Sequence, residues 1–254
     1  MIPGSVATAL LLTSSLASQA AAAINLNATV RDFTPTHPDF EHYLGNDVGA
    51  VQTTLGPSKN PVLSAASRPT ITSAASFAQW YDDVPGVNLN FPLTLTLTET
   101  SPGSGIFAYG SSSFFPIDGL GFGNYSGGHN FHFTMELHST FTYQVGQQFS
   151  FTGDDDLWVY INNQLAIDLG GVHGALSDSV DLDTLGLTPG QTYDFDLFFA
   201  ERHTSDSNFF VETSIPLVSG PSESVPEPGT VLAGLAIVAS AGVAYRRRVT
   251  ANRA

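Results

Sequence analysis

The chain of 254 residues carries no cysteine and a formal net charge of −15. Disulfides, thiolate chemistry and cysteine-based zinc sites are excluded, and the sign of the charge is opposite to what a nucleic-acid binder needs. The imbalance is concentrated: from Ile24 to Val225 only Arg31, Lys59, Arg68 and Arg202 offset 22 of the 23 acids (Glu227 lies outside), a net of −18 that suits an acidic, cation-binding extracellular protein.

Residues 1–23 read as a secretory signal peptide. Val6 to Leu12 is a short apolar core and Ser18 to Ala23 supplies small residues for cleavage, although the usual basic n-region is missing. The length then leaves room for one large β domain, residues 24–218. Its Gly, Ser, Thr, Asn and Phe content fits short strands joined by many turns.

Ile24 to Val30 alternates apolar and polar residues like an edge strand. Residues 44–74 are rich in Gly, Ser, Thr and Pro and predict loops with short strands. Phe77 to Val84 predicts one or two helical turns with Phe77, Trp80 and Tyr81 together on one side, as core rather than as a stacking platform. Phe91-Pro-Leu-Thr-Leu-Thr-Leu-Thr98 is the clearest half-buried strand, leucines inward. Phe107 to Phe115 predicts another strand. The Gly-rich loop from Gly119 to Gly128 lacks dinucleotide or P-loop spacing and is given no phosphate role.

His129 to His138 has two readings. On an extended strand His132, Glu136 and His138 share a face, which makes a transition-metal site conceivable. Alternatively Phe131, Phe133 and Met135 are core and the polar residues pair with a loop or one another, the simpler account where no motif spacing supports a metal.

The most informative stretch follows. Asp154, Asp155 and Asp156 stand directly before an apolar run. Three neighbouring like charges repel, and burial makes that worse. They persist in a fold only if they face water as a solvated acidic turn or if a cation neutralises them, and hard oxygen donors at a strand end suit calcium. Leu157 to Ile161, the turn Asn162-Asn163, and Leu165 to Leu169 predict a hairpin. A two-residue loop puts Trp158 and Tyr160 on one face with Leu165 and Ile167, and Leu157, Val159 and Ile161 on the other. Both faces are apolar, which places the hairpin inside a layered structure with the carboxylates at its rim.

Val180 to Leu187 predicts a strand ending in a tight turn at Thr188 to Gln191, and Tyr193 to Phe199 a further strand. Glu201 to Asn208 is a polar loop, and Phe209 to Ile215 a closing strand. Residues 219–228 form a Pro/Ser linker that ends in Pro226, Glu227 and Pro228. Thr230 to Tyr245 is unbroken apolar and small sequence, short beside the roughly 17–25 residues of a spanning helix. It ends in Arg246, Arg247 and Arg248, which mark a cytoplasmic end. Residues 229–248 are therefore assigned as a single transmembrane helix with its Arg cluster, contacting the inner membrane transiently through residues 230–245. Residues 249–254 follow as a cytoplasmic tail.

Two resemblances add to this. Pro226, Glu227 and Pro228, the apolar segment and the Arg cluster together resemble the PEP-CTERM sorting signal, which implies processing by an exosortase in an exopolysaccharide-producing Gram-negative bacterium. The body resembles the fibro-slime domain, a relative of the protective-antigen-type β-sandwich of adhesins and lectins. The residues that carry this are Arg31-Asp-Phe33, His37-Pro-Asp-Phe40, His129 to Thr134, Phe151 to Asn162, Asp168 to Gly174 and Phe199-Ala-Glu-Arg-His203.

That resemblance implies an all-β, two-layer antiparallel β-sandwich. It also implies a calcium ion held by an Asp-Asp pair joined by a cis peptide, Asp154-Asp155 or, slipped by one, Asp155-Asp156, with an Asn from a late loop, Asn208. His173, Arg202, His203 and Asp206 would then line the ligand mouth. The chain is expected to be an exported surface or extracellular-matrix protein that binds exopolysaccharide or cell-surface glycan in a calcium-dependent way, as in adhesion or biofilm. One alternative is a structural matrix protein in which calcium only stabilises the fold. A glycosidase using Asp155 and Glu201 is the other, needing carboxyls about 5 to 9.5 Å apart across a cleft. No G-x-S-x-G motif appears, no catalytic residue is assigned, and no enzyme is expected.

Overall fold

A computed structural model describes residues 20–220. Most of the expected signal peptide lies outside these residues. So do the whole of the expected sorting motif, Pro226, Glu227 and Pro228, the expected transmembrane segment, and the cluster Arg246, Arg247 and Arg248. Among the described residues no helix is long and apolar enough to cross a membrane.

The described chain is almost entirely strand. It opens with β1 (Ala23–Phe33) and the two-residue β2 (Gly45–Asn46). The short helix α1 (Ala74–Phe77) precedes β3 (Asn88–Glu99), β4 (Phe107–Ser111), β5 (Phe133–Thr142) and β6 (Gln148–Gly153). The hairpin β7 (Asp156–Ile161) and β8 (Gln164–Leu169) follows, then β9 (Gly171–Val172) and β10 (Leu176–Asp181). β11 (Thr192–Glu201), β12 (Phe209–Thr213) and β13 (Val218–Ser219) complete it.

The main ladder runs β10-β6-β12-β4-β3-β1-β5-β11-β7-β8, with β13 on β5 and a separate β2–β9 pair. Every pairing is antiparallel. The ladder curls so that its ends, β10 and β8, meet. Its two halves face each other across an aromatic core: Phe149 lies 5.0 Å from Phe195, and Phe209 5.2 Å from Phe199. This is the expected sandwich-like all-β architecture.

A second apolar cluster lies on the outer face of β7 and β11. Trp158, Tyr160, Phe198 and Ala200 are covered there by Ala50, Val51, Leu55, Leu63, Ile71, Phe77, Trp80 and Tyr81. Both faces of the hairpin are buried as its sequence requires, but irregular chain from 50 to 81, not a sheet, covers the outer one. Polar tips are satisfied on the way in: Trp158 Nε1 donates to Asp168 at 3.0 Å and Tyr160 Oη to the Gln52 carbonyl at 2.8 Å.

Several expectations change. β1 is not an edge strand; it lies between β3 and β5. The helix expected over Phe77 to Val84 instead spans Ala74–Phe77, because Ser73 caps it through the Ser76 N–H at 3.0 Å, and residues 78–84 are turn, bend and loop rather than helix. Asn162 and Asn163 make the predicted turn with φ of 51° and 60°, yet Ile167 faces the inter-sheet core with Val159 rather than joining Trp158. The register slips between Val159 and Tyr160, leaving Ala166 extra, and a bulge of one residue inverts every side chain beyond it. Val180 to Leu187 is not one strand: β10 stops at Asp181, whose carboxylate caps a 3-10 turn at Leu182–Leu185.

Candidate functional site

Two crossings between the halves lie side by side at one end of the sandwich. Asp154-Asp155 carries the chain from β6 to β7, and residues 202–208 carry it from β11 to β12. Gly153 permits their close approach. A Cβ there would stand 2.5 Å from the Asn208 carbonyl oxygen, so any side chain would push the second crossing away. Asp155 turns the first corner with a φ of 51°, a region that Asp tolerates better than most residues. Every peptide bond among the described residues is trans, so the cis Asp-Asp linkage implied by the resemblance is absent.

The crossings tie together through carboxylates. Asp154 Oδ2 accepts from the Asn208 N–H at 2.9 Å and from Asn208 Nδ2 at 2.6 Å. Asp155 accepts from the His173 N–H at 3.0 Å and the Arg202 N–H at 2.7 Å. Asp156 accepts from the Gly171 N–H and from Arg202 Nε, both at 2.6 Å. Gly171, at φ +122°, is squeezed against Gly45 and Asp47; a Cβ would meet the Gly45 carbonyl at 2.3 Å.

The three aspartates are not at a wet rim. They are 4%, 4% and 0% exposed, and Glu201 and Arg202 are both 0% exposed. Burial pushes all four carboxyls up. It lifts Asp155 to about 7 against the pull of the Arg202 charge, and Asp156 upward against the same guanidinium. Asp154 rises by burial against the Asn208 hydrogen bonds. Glu201 rises well above the carboxylate range, first by burial and then by the Asp155 charge beside it.

Arg202 was expected at the ligand mouth and is not there. Beyond Asp156, it donates to the Thr70 carbonyl at 2.7 Å and the Asp39 carbonyl at 3.1 Å, with its guanidinium carbon 4.7 Å from the Trp80 ring centroid. Asp156, expected as a metal ligand, spends one oxygen on that guanidinium and the other on backbone. Asp155 likewise has a backbone donor on each oxygen. The oxygens left without any hydrogen-bond partner at this corner are Asp154 Oδ1 and both oxygens of Glu201. Among the described residues no group of three or more His, Asp or Glu side chains is arranged to hold a metal ion by itself. Neutral oxygens would have to complete any cation site.

The remaining expected residues surround this corner. Asn208 meets Asp154 as anticipated. Asp206 is exposed and near enough for Asp154 to feel its charge. His173 is half-buried, its ring within 3.0 Å of the Gly174 carbonyl. His203 is 3.8 Å from Glu41.

Glu41 was not singled out from sequence. It accepts from His132 at 2.8 Å and from the Thr204 N–H at 2.9 Å, pinning the 202–208 crossing to the segment that leads into β5. His132 is thereby separated from Glu136 and His138, which pair with Arg31 at 2.7 Å and Asp196 at 2.7 Å. No His/Glu metal site forms from that segment. Phe131, Phe133 and Met135 are buried as core. Asp155 and Glu201 lie next to each other in the interior, not on opposite sides of a sugar cleft.

Comparison with known proteins matches residues 121–225 to the PA14 domain and residues 224–248 to the PEP-CTERM protein-sorting motif, a span that takes in Pro226, Glu227, Pro228 and the Arg cluster. Two homologues from Dictyostelium discoideum are protein psiQ and protein psiD. Each is 43% identical over 210 residues, covering 76% of this chain but 21% and 41% of those proteins. The chain thus spans about a fifth to two fifths of the length of the curated relatives it matches. Among solved structures, the PA14 sugar-binding domain from an RTX adhesin aligns at 11% identity and a TM-score of 0.32, over 75% of this chain and 90% of that one. The PA14 domain of the MpAFP antifreeze protein aligns at 10% identity and a TM-score of 0.35, over 85% of this chain and all of the other.

Proposed function

We propose that the β domain of this chain, which carries a PA14 match and a C-terminal sorting motif, is exported to the cell surface and binds carbohydrate through a calcium ion at the Asp154–Asn208 corner. An exosortase would remove the C-terminal segment near Pro226, Glu227 and Pro228, leaving the domain at the surface or in the extracellular matrix. The ligand would be an exopolysaccharide or cell-surface glycan.

One observation carries this reading. Asp154 and Asn208, 54 residues apart, are bonded to each other where two crossings meet, and Asp154 Oδ1 has no partner. A hard cation there would offer open coordination positions to sugar hydroxyls. Asp154 and Asn208 would hold it, Asp155 would fix the two crossings through backbone, and the exposed Asp206 with His203 and His173 would border the ligand. Asp156 and Arg202 would serve as the rigid floor.

A second reading is favoured by the inward direction of these groups. Asp155 and Asp156 bond backbone rather than facing water, as in a corner whose cation only stiffens the sandwich. Glycan-array binding of the full chain, with calcium and with chelator, separates the two. Retention of a glycan with calcium and its loss on chelation is the expected result. Calcium-dependent melting without glycan retention would replace carbohydrate binding by the stiffening role. No response to calcium in either measurement would remove both.

A further inference from the structure

Four carboxylates, Asp154, Asp155, Asp156 and Glu201, are buried together, and one cation, Arg202, is buried with them. Arg202 is committed to Asp156. Asp155 has a backbone N–H on each oxygen. Glu201 has no donor committed to it: both its oxygens are buried without a well-aligned hydrogen bond, its nearest polar side chains are the Asp155 carboxyl and the Ser207 hydroxyl, and Asp154 Oδ1 is likewise bare. Buried polar atoms are almost always satisfied, so three bare carboxylate oxygens in one place call for an absent partner.

Position makes Glu201 more than an accident. It is the last residue of β11, held in register opposite Phe133, and it stands at the root of the 202–208 crossing. The charges of Asp155 and Asp154 both reach it. Ser207, wholly buried in the same crossing, lies beside the carboxylate but donates its hydroxyl to the Phe114 carbonyl at 2.9 Å. No backbone group and no cation of the fold is bonded to the Glu201 side chain, whose polar neighbours are Asp155 and Ser207.

Resting on the calcium-dependent reading above, we propose that Glu201 is the interior ligand of that site, so that one divalent cation is held between Asp154 Oδ1 and the Glu201 carboxylate, beneath the 202–208 crossing. Calcium takes six to eight oxygens and accepts carbonyls, hydroxyls and water beside carboxylates, so two carboxylates are a sufficient charged core. The ion and Arg202 together bring three positive charges to four negative ones. This seat differs from the Asp155-Asp156 alternative, whose oxygens are already occupied.

The test is calorimetry with calcium chloride on the detergent-purified full chain, with melting measured in calcium and in chelator. The parent is expected to bind one ion per chain. Glu201→Gln is expected to weaken that binding by about tenfold or more through loss of a charged ligand, while melting in chelator no lower than the parent. Asp154→Asn is expected to weaken binding similarly.

Parent-like affinity in Glu201→Gln, within about twofold, would overturn the role of Glu201 while leaving the calcium reading intact. A parent that binds no calcium would overturn both, leaving a proton as the partner of Glu201. If Glu201→Gln does not fold, Glu201→Asp decides: it keeps the charge but shortens the reach. Unchanged affinity in Glu201→Asp overturns the assignment, and a clear loss upholds it.

Discussion

Two polar regions of this domain bury charge in opposite ways. On the outer face of β1, β5 and β11, each carboxylate has a cation within reach: Asp83 and Glu136 have Arg31, Asp196 has His138, and Asp194 has Lys59. At the Asp154 corner, four carboxylates share one guanidinium, and three of them have no cation of their own. The outer row supplies its own cations, although Asp196 Oδ2 is buried without a hydrogen-bond partner. The corner has too few cations for its carboxyls and raises their proton affinity instead, and such a buried site points to a proton or a cation that the protein acquires.

The largest expected effect comes from breaking the one ion pair the corner has. Arg202→Leu leaves Asp156 charged and buried without its partner and strips the cation from Trp80. It is expected to cost about 3–5 kcal/mol in urea unfolding. Arg31→Leu, the matching change in the outer row, should cost clearly less, because the Asp83 side chain is 57% exposed and is rehydrated when its partner leaves, while the more buried Glu136 keeps His138 at 3.6 Å. Equal costs for the two would erase the distinction between the regions.

Next comes Gly153→Ala, which attacks the corner through packing rather than charge. The new methyl meets the Asn208 carbonyl and the Phe151 ring, and overpacking of this kind costs about 1–3 kcal/mol. It should also weaken calcium binding, since Asn208 and Asp154 separate. A variant that loses stability but binds calcium like the parent would detach the Asp154–Asn208 contact from the cation site.

Much of this was legible in the residues and some was not, for physical reasons. The Leu93-Leu95-Leu97 alternation, the Asn162-Asn163 turn and the aromatic burial of Phe77, Trp80 and Tyr81 depend on local periodicity and turn chemistry, and they appear as expected. Ile167 did not, because one small extra residue, Ala166, reverses a period-two pattern without leaving a breaker in the sequence. The Asp run was recognisable as a site of unusual charge, but which oxygen is free depends on partners 15 to 54 residues away. Glu201 reads as the start of a polar loop; only the β11–β5 register shows it as the buried end of a strand.

A smaller effect on the fold, but a sharper one on the comparison, is expected from Asp154→Asn. The amide keeps an oxygen for Asn208 and removes a buried charge, so stability in chelator should stay within about 1 kcal/mol of the parent. Calcium at a hundred times the parent's dissociation constant should stabilise the parent by about 2.7 kcal/mol and a variant that binds tenfold more weakly by about 1.4 kcal/mol or less. Differential melting in calcium and chelator reads both quantities. A variant that keeps the full calcium increment would move the ion away from Asp154.

The outer row predicts its own signature, in pH rather than in calcium. Burial by itself would lower His138, but the hydrogen bond to Asp196 on β11 and the charge of Glu136 on its own strand outweigh it and lift the ring to about 9. Arg31 faces the same Glu136 from β1, Lys59 faces neighbouring Asp194, and the Phe198 ring covers the imidazole at 5.6 Å. The folded value lies above the ordinary 6.5, so the native state holds the proton more tightly than the unfolded chain. The stabilisation is complete below about pH 6.5 and is lost as pH rises through about 9. Urea unfolding across that interval should show declining stability in the parent and a flatter profile in His138→Gln. Because the ring is 40% exposed, added salt should shrink the difference. Identical pH profiles for parent and variant would mean that the row is held by packing alone, and its charge balance would then no longer set it apart from the corner.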